Sequence, residues 1–582
     1  MPLSLFLSSC PGRRGGPLVE NPTLKFRRRF GNWDSAHDAL IFRGGGVGCL
    51  RPIPILLSAI APRFRRWSRL IALLGAAFCC GSSVSGATIP ARPNIVVILA
   101  DDLGYGDLGC YNPQSKIPTP QLDALAQQGI RLTDAHAAAA VCTPSRYGLL
   151  TGRYPWRPRG PGRPPGGKVS AGVSNVAPWG PPVFGADSLT LPGFLRNRGY
   201  ATACIGKWHL GWDWPTHDGR PPGNGPDNRS NVDFKRTIGG GPTARGFDYY
   251  FGTDVPNYPP YCFIENDRTL GIPDVATSTE FETPGPKLTG WSQSDILPEL
   301  TRRAVRYVEE AAGRGRPFFL YFPLTSPHHP VLPTKEFRGR SQAGDYGDFV
   351  VQTDWVVGQV LAALDRAGVA GDTLLIFTSD NGPEITRLNN AGTKNVMPVG
   401  AYDRVRQYGH ASMGPWRGIK YAAWEGGHRV PFLARWPGRI PAGTTSTELL
   451  CLTDLLATCA ALMGGELPRE AGEDSFDALP ILLGGKGRRD AVVTKSDGVT
   501  LAVRRGSWVW IDAPAGDRRE PDWWRETRGY NADSHPGQLY DLSRDPSQRH
   551  NQFAMRPELV QELRGFLRQL EQEGRHAPAS RR

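Results

Sequence analysis

The sequence predicts an α/β fold: a large mixed, mostly parallel sheet flanked by helices, with a small C-terminal α+β subdomain of antiparallel sheet plus a terminal helix. Three observations predict it. Asn94-Ile95-Val96-Val97-Ile98-Leu99 is a continuous apolar, mostly β-branched run, as expected of a strand buried on both faces. Residues 317–322 and 373–377 read as two further buried strands. Between them, 348–367 places Val350, Asp354, Val357, Val360, Leu361 and Leu364 at helical spacing and closes at Gly368. Strand, long helix, strand is the crossover unit of a parallel sheet. Beyond 484–489 the pattern changes to short alternating segments at 501–504, 508–511 and 539–542, then an amphipathic helix over 557–570.

The remaining elements follow in order. Thr119-Pro120 supplies a cap and a first-turn proline for a helix that Gly129 ends. Residues 200–204 form another buried strand. The stretches 155–185 and 218–227 are rich in Pro and Gly and lack periodicity, as active-site rims do. The chain therefore divides into a leader (1–87), a catalytic domain (88–484) and the C-terminal subdomain (485–582). Its 582 residues are enough for a sizeable core, which excludes a peptide-like or disulfide-only scaffold.

The net charge of +13 is unevenly placed. Residues 1–87 hold 12 Lys/Arg against 3 Asp/Glu, so the body is near neutral and no nucleic-acid partner is expected. Arg63, Arg65, Arg66 and Arg69 precede an apolar run over 70–80, and small residues follow through Ala87. That is the order of a secretory signal over 63–87, with cleavage after Ser85 or Ala87. The run is short for a bilayer span, so the expected protein is exported, periplasmic or secreted, with no stable membrane span. No cysteine pair has CxxC spacing, which argues against structural zinc.

Four of the strand candidates run into unusual polar residues: Asp101-Asp102, Gly206-Lys207-Trp208-His209, Ser326-Pro327-His328-His329-Pro330 and Ser379-Asp380-Asn381-Gly382. Ligands of open α/β sheets bind outside the carboxyl ends of the strands, so parallel strands would bring these groups together. Each alone has a plain reading as a turn, a cap or a satisfied histidine. Asp101, Asp102, Asp380 and Asn381 are all oxygen donors, and adjacent carboxylates need a cation to stay ionised together. Ca²⁺, with Mg²⁺ as the alternative, is the economical choice, because no thiolate or imidazole cluster competes for a softer metal. Cys142-Thr143-Pro144-Ser145-Arg146 opens a short helix to Thr151. Read alone, Cys142 is either a buried structural cysteine or a helix-activated thiolate.

Cys142-Thr143-Pro144-Ser145-Arg146, followed by Gly148-Leu149-Leu150-Thr151-Gly152-Arg153, resembles the signature of formylglycine-dependent sulfatases, arylsulfatase-like enzymes of alkaline-phosphatase-like fold. The resemblance extends over about residues 93–573. It takes in Asp101 to Asp107, Gly206-Lys207-Trp208-His209, Thr378 to Gly382, and Gly418-Ile419-Lys420 with Glu425-Gly426-Gly427. It implies a sulfuric ester hydrolase acting on a sulfated small molecule or carbohydrate. A modification enzyme would convert Cys142 to Cα-formylglycine. The implied metal ligands are Asp101, Asp102, Asp380, Asn381 and the modified Cys142. Arg146, Lys207, His209, His328 and Lys420 fall on the other catalytic positions, and Lys207, His328 and Lys420 also contact substrate. His328 is preferred to His329 because the family pattern is His-x-Pro. In the implied reaction a hydroxyl of the hydrated aldehyde attacks sulfur, His328 protonates the leaving alcohol, and His209 takes a proton as sulfate departs. Two rivals stand beside this reading: a phosphomonoesterase or phosphodiesterase of the same superfamily, and a non-catalytic sulfated-glycan binder with unmodified Cys142.

Overall fold

The computed structural model describes residues 92–157, 172–185, 187–277, 283–383, 400–496, 498–516, 520–530 and 534–578. The targeting segment expected at 63–87 and much of the stretch 155–185 lie outside them. Five parallel strands form the centre: β1 (Asn94–Asp101), β3 (Ala201–Lys207), β4 (Tyr249–Thr253), β7 (Phe318–Pro327) and β8 (Thr373–Ser379). They are joined by β2 (Ile130–Leu132), β5 (Ile264–Glu265), β6 (Arg268–Thr269), β9 (Phe432–Arg435) and β10 (Thr444–Ser446). The ten-stranded order is β10-β2-β9-β8-β1-β7-β3-β4-β5-β6, with antiparallel pairing on both flanks.

The alternation of β1 explains the layering. Ile95, Val97 and Leu99 enter one apolar cluster, and Val96, Ile98 and Ala100 enter a second on the opposite face. The helices α1 (Pro120–Gln128), α3 (Ile296–Ala312) and α4 (Gly344–Arg366) cover the second face, and α2 (Cys142–Thr151) packs on the first. Because β1 lies between β7 and β8, three of the polar strand ends meet at its carboxyl end, with β3 next to β7.

Several elements differ from expectation in length. The strand expected at 200–204 runs to Lys207, and those expected at 317–322 and 373–377 run to Pro327 and Ser379. The extensions take Lys207, Ser326 and Ser379 into the strands, where pairing outweighs side-chain preference, and leave His209, His328, Asp380 and Asn381 just beyond them. The long helix starts at Gly344 rather than 348, and the helix α3 was not anticipated. Thr119 does not cap α1 through its side chain. Its hydroxyl accepts from the Gly109 N–H and donates to Asp123 instead.

The C-terminal region forms a four-stranded antiparallel sheet of β11 (Ala491–Lys495), β12 (Leu501–Arg505), β13 (Trp508–Ile511) and β14 (Gln538–Asp541). Val560, Leu563, Leu567 and Leu570 of α5 (Pro557–Glu573) pack on it, in a cluster shared with Ala138, Tyr154, Trp156 and Cys451. The Arg489–Asp454 and Arg157–Asp474 ion pairs are buried nearby. Among the described residues no helix is long and apolar enough to cross a membrane.

Candidate active site

The site is assembled from the ends of β1, β3, β7 and β8 and the first turn of α2. Asp101 closes β1, and Asp102 follows in the left-handed region with φ 63°. That conformation lets the Asp102 N–H donate to Asp380 Oδ1 at 3.1 Å, while the Leu103 N–H donates to Ser379 Oγ. On β3, Gly206 has φ 135° and lies so close to the Pro323 carbonyl that a Cβ would overlap it. Only glycine fits there, and it delivers Lys207 to the centre of the sheet edge.

Three carboxylates and three cations interlock at full or nearly full burial. Lys207 Nζ lies 2.9 and 2.7 Å from the two oxygens of Asp101. Lys420 Nζ lies 2.5 Å from Asp102 Oδ2. Arg146 donates through Nε to Asp380 Oδ2 at 2.9 Å, and its Nη2 is 3.2 Å from Asp101. Cys142 Sγ sits 3.6 Å from Asp101 Oδ1 and 3.7 Å from Asp102 Oδ1. His328 Nε2 is 3.6 Å from Asp102 Oδ2, and its Nδ1 donates to the His329 carbonyl at 2.5 Å. Asn381 Nδ2 donates to Asp102 Oδ1 at 2.6 Å. His209 sits behind α2, where Thr143 donates to its carbonyl. Asp101, Asp102, Cys142, Arg146, Lys207, His328, Asp380, Asn381 and Lys420 thus share one set of contacts, and His209 adjoins them through its backbone and Thr143. His329 stacks on His328 but faces Asn257.

Burial and charge set the protonation states. Burial alone would raise Asp101, but Lys207, Arg146 and Lys420 outweigh it and hold the carboxyl well below the usual range. Burial pushes the Cys142 thiol well up despite Lys207 and Lys420, so as a thiol it is neutral. Burial, reinforced by Lys207 and Arg146, pushes His209 well below the ordinary imidazole value.

The donors suit a hard divalent ion. Ligand atoms of Asp101, Asp102, Cys142 and His328 lie within 4.8 Å of one another, and Asn381 Oδ1 is buried without a hydrogen-bond partner. An orphaned amide oxygen beside three carboxylates is the oxygen-rich environment that Ca²⁺ or Mg²⁺ takes. Three carboxylates balance three cations here, so a bound dication leaves the pocket positive and ready for an anionic ester.

The family model described as Sulfatase matches residues 93–465. An N-acetylgalactosamine-6-O-sulfatase of Bacteroides thetaiotaomicron is 34% identical, covering 82% of this chain and 92% of that protein. The chain belongs to the sulfatase family. It is a sulfuric ester hydrolase. Mouse arylsulfatase G is 37% identical over 69% of this sulfatase and 71% of its own length. Among solved structures, a sulfatase from work on glycosaminoglycan metabolism by Bacteroides thetaiotaomicron superposes with TM-score 0.68 and 32% identity. That match covers 83% of this chain and all of the other.

Sequence reasoning missed Asp254 and Val176 of this sulfatase's site. Trp179, Trp212, Trp214 and Tyr261, aromatics of the loops near the site, are buried and serve packing rather than stacking on a sugar. The three tryptophans pack in the core cluster of the first face. Only Tyr258 remains half-buried beside the site, edge-on to His209 at 5.8 Å between ring centroids. Asp254, directly after β4, gives the fifth parallel strand a polar end as well. It was overlooked because 249–253 did not read as a strand. Its carboxylate accepts from the His209 N–H and the Trp212 indole, and burial raises it to about 6.

Proposed function

We propose that this sulfatase is exported and hydrolyses carbohydrate sulfate monoesters, accepting small aryl sulfates as surrogates, with Cys142 converted to formylglycine. 6-O-sulfated N-acetylgalactosamine is the first substrate to try, in keeping with the Bacteroides relative. The observation that carries the reading is the buried cluster around Cys142, in which Lys207, Lys420 and Arg146 face Asp101, Asp102 and Asp380. Asp101, Asp102, Asp380 and Asn381, with the group at position 142, would hold the divalent ion. When bound, such an ion lowers the proton affinity of a neighbouring hydroxyl and offsets charge on sulfate oxygens. As a hydrated aldehyde, position 142 offers one hydroxyl to attack sulfur and a second whose deprotonation releases sulfate.

The side chains divide the remaining work. Lys207 and Lys420 bind the sulfate oxygens and neutralise charge developing there. Arg146 orients the group at 142 and balances Asp380. His328 supplies a proton to the leaving alcohol from Nε2, while the His329 carbonyl fixes Nδ1. Neutral His209 accepts the proton of the second hydroxyl. Rates on matched sulfate and phosphate esters, including the 6-O-sulfated sugar, test the reading. Sulfate turnover should dominate. Faster phosphate turnover would overturn it, and activity confined to steroid or other lipid sulfates would overturn the carbohydrate assignment.

A further inference from the structure

His209 stands in a conformation that the chain must hold by force. Its φ of 53° is in the left-handed region, which is strained for a non-glycine residue and persists only when surroundings over-determine it. Four hydrogen bonds do so. The His209 N–H donates to Asp254 Oδ1 at 3.1 Å, and the Thr143 hydroxyl donates to the His209 carbonyl at 2.8 Å. The His209 ring meets the Val176 carbonyl through Nε2 at 3.1 Å, and the Val176 N–H donates to the same Thr143 hydroxyl at 3.1 Å. A carbonyl only accepts, so Nε2 carries the proton and Nδ1 of the neutral ring holds the lone pair. That Nδ1 is buried and has no hydrogen-bond partner.

We infer that Thr143 is a positioning residue that fixes His209 as the Nε2–H tautomer, making Nδ1 the proton-accepting atom of the sulfate-release step. The inference rests on the role proposed for His209. In that step the O–H bond of the second hydroxyl at position 142 breaks toward Nδ1. Its electron pair forms the aldehyde C=O, and the C–O bond to sulfate breaks, so sulfate leaves with that bond's pair. Thr143 can govern this because its single hydroxyl touches both the backbone of His209 and the backbone of Val176, which sets the tautomer. It sits next to Cys142 on α2, so the nucleophile and the base are referred to one turn of helix. Asp254 supports the same backbone from the opposite side.

The test compares Thr143→Val, Thr143→Ala and Thr143→Ser, with conversion at position 142 quantified by mass spectrometry and rates normalised to it. Thr143→Val and Thr143→Ala should lose about 10²-fold in kcat, the scale of a misplaced general base, with KM changed less than about threefold. Thr143→Ser keeps the hydroxyl and should recover kcat to within about threefold of wild type, since both hydrogen bonds persist. Ala creates no crowding, so it keeps the test open where Val fails to fold. A second readout needs no turnover: ¹⁵N-histidine NMR of wild-type protein with unmodified Cys142, assigned by loss of the signal in His209→Gln. It should show a protonated Nε2 and a bare Nδ1, with the signal broadened or shifted toward mixed tautomers in Thr143→Val and Thr143→Ala. Unchanged kcat in both variants at equal conversion, or an Nδ1–H tautomer in wild type, would overturn the inference. Failure of fully converted wild type to cleave any sulfate ester would overturn the proposed function instead, and the tautomer still decides this inference.

Discussion

Replacing Lys207 by Met removes the ammonium and keeps most of the side-chain volume. Asp101 then loses contacts at 2.7 and 2.9 Å and keeps Arg146 Nη2 at 3.2 Å as its near cation, with the Cys142 sulfur at 3.6 Å and all of these groups buried. Breaking a buried pair on one side costs roughly 3–5 kcal/mol, and the remaining guanidinium places this case at the lower end, about 3 kcal/mol. For a domain of this size, each kcal/mol moves Tm by roughly 2 °C, so a fall of about 6 °C is expected in chelator. The rate loss has a different origin. Removing one donor that faces developing charge costs about 10²–10³ in kcat. A dication beside Asp101 substitutes for the missing positive charge, so saturating Ca²⁺ should narrow the Tm gap without restoring the rate. Thermal unfolding with chelator and with Ca²⁺, beside initial rates on a chromogenic aryl sulfate, measures both. Wild-type kcat/KM in Lys207→Met, or a Tm gap that Ca²⁺ leaves untouched, would contradict this role for Lys207.

Two other perturbations address the metal and the buried imidazoles. Chelation should abolish turnover, Ca²⁺ or Mg²⁺ should restore it, and Asp380→Ala should lower metal occupancy by elemental analysis together with activity. Full activity from metal-free enzyme would contradict the ligand set. His428 is buried with its Nδ1 3.1 Å from that of His136, and burial, opposed by Glu425, lowers it to about 4. The unfolded chain therefore protonates first as pH falls below 6.5. The stabilisation is complete above that value and is lost as pH falls through about 4, by roughly 3 kcal/mol. Stability measured against pH should fall less steeply between 6.5 and 4 in His428→Gln than in wild type, and equal slopes would contradict the assignment.

The sheet and its catalytic edge were legible because their determinants are local. The run 94–99 announces a strand buried on both faces, and the polar residues that follow stand where parallel strands end. Strand order was not legible, since pairing of β1 with both β7 and β8 joins residues more than two hundred positions apart. The helix α3 escaped notice because Arg302, Arg303 and Arg306 dominate its middle, although Leu300, Ala304, Tyr307 and Val308 carry a readable apolar face. Lying in a loop, Trp212 and Trp214 left packing and sugar stacking both open in the sequence; in the structure Trp212 packs on Tyr250 and Trp214 on Trp212 and Trp179. Asp254 could have been found had 249–253 been weighed as a strand. Val176 contributes only backbone groups, its N–H to Thr143 and its carbonyl to His209, which a sequence does not advertise.

The chemistry turns on the reacting group at position 142 being a hydrated aldehyde made from cysteine. Peptide mass spectrometry across residue 142 of active enzyme, set beside the rates of Cys142→Ser and Cys142→Ala, tests it most directly. Activity should scale with the fraction of formylglycine. Cys142→Ser should show no steady-state turnover, because one hydroxyl can be sulfated but not regenerated, and Cys142→Ala should show neither turnover nor adduct. Full activity from protein whose Cys142 is a thiol, or sustained turnover by Cys142→Ser, would contradict the claim.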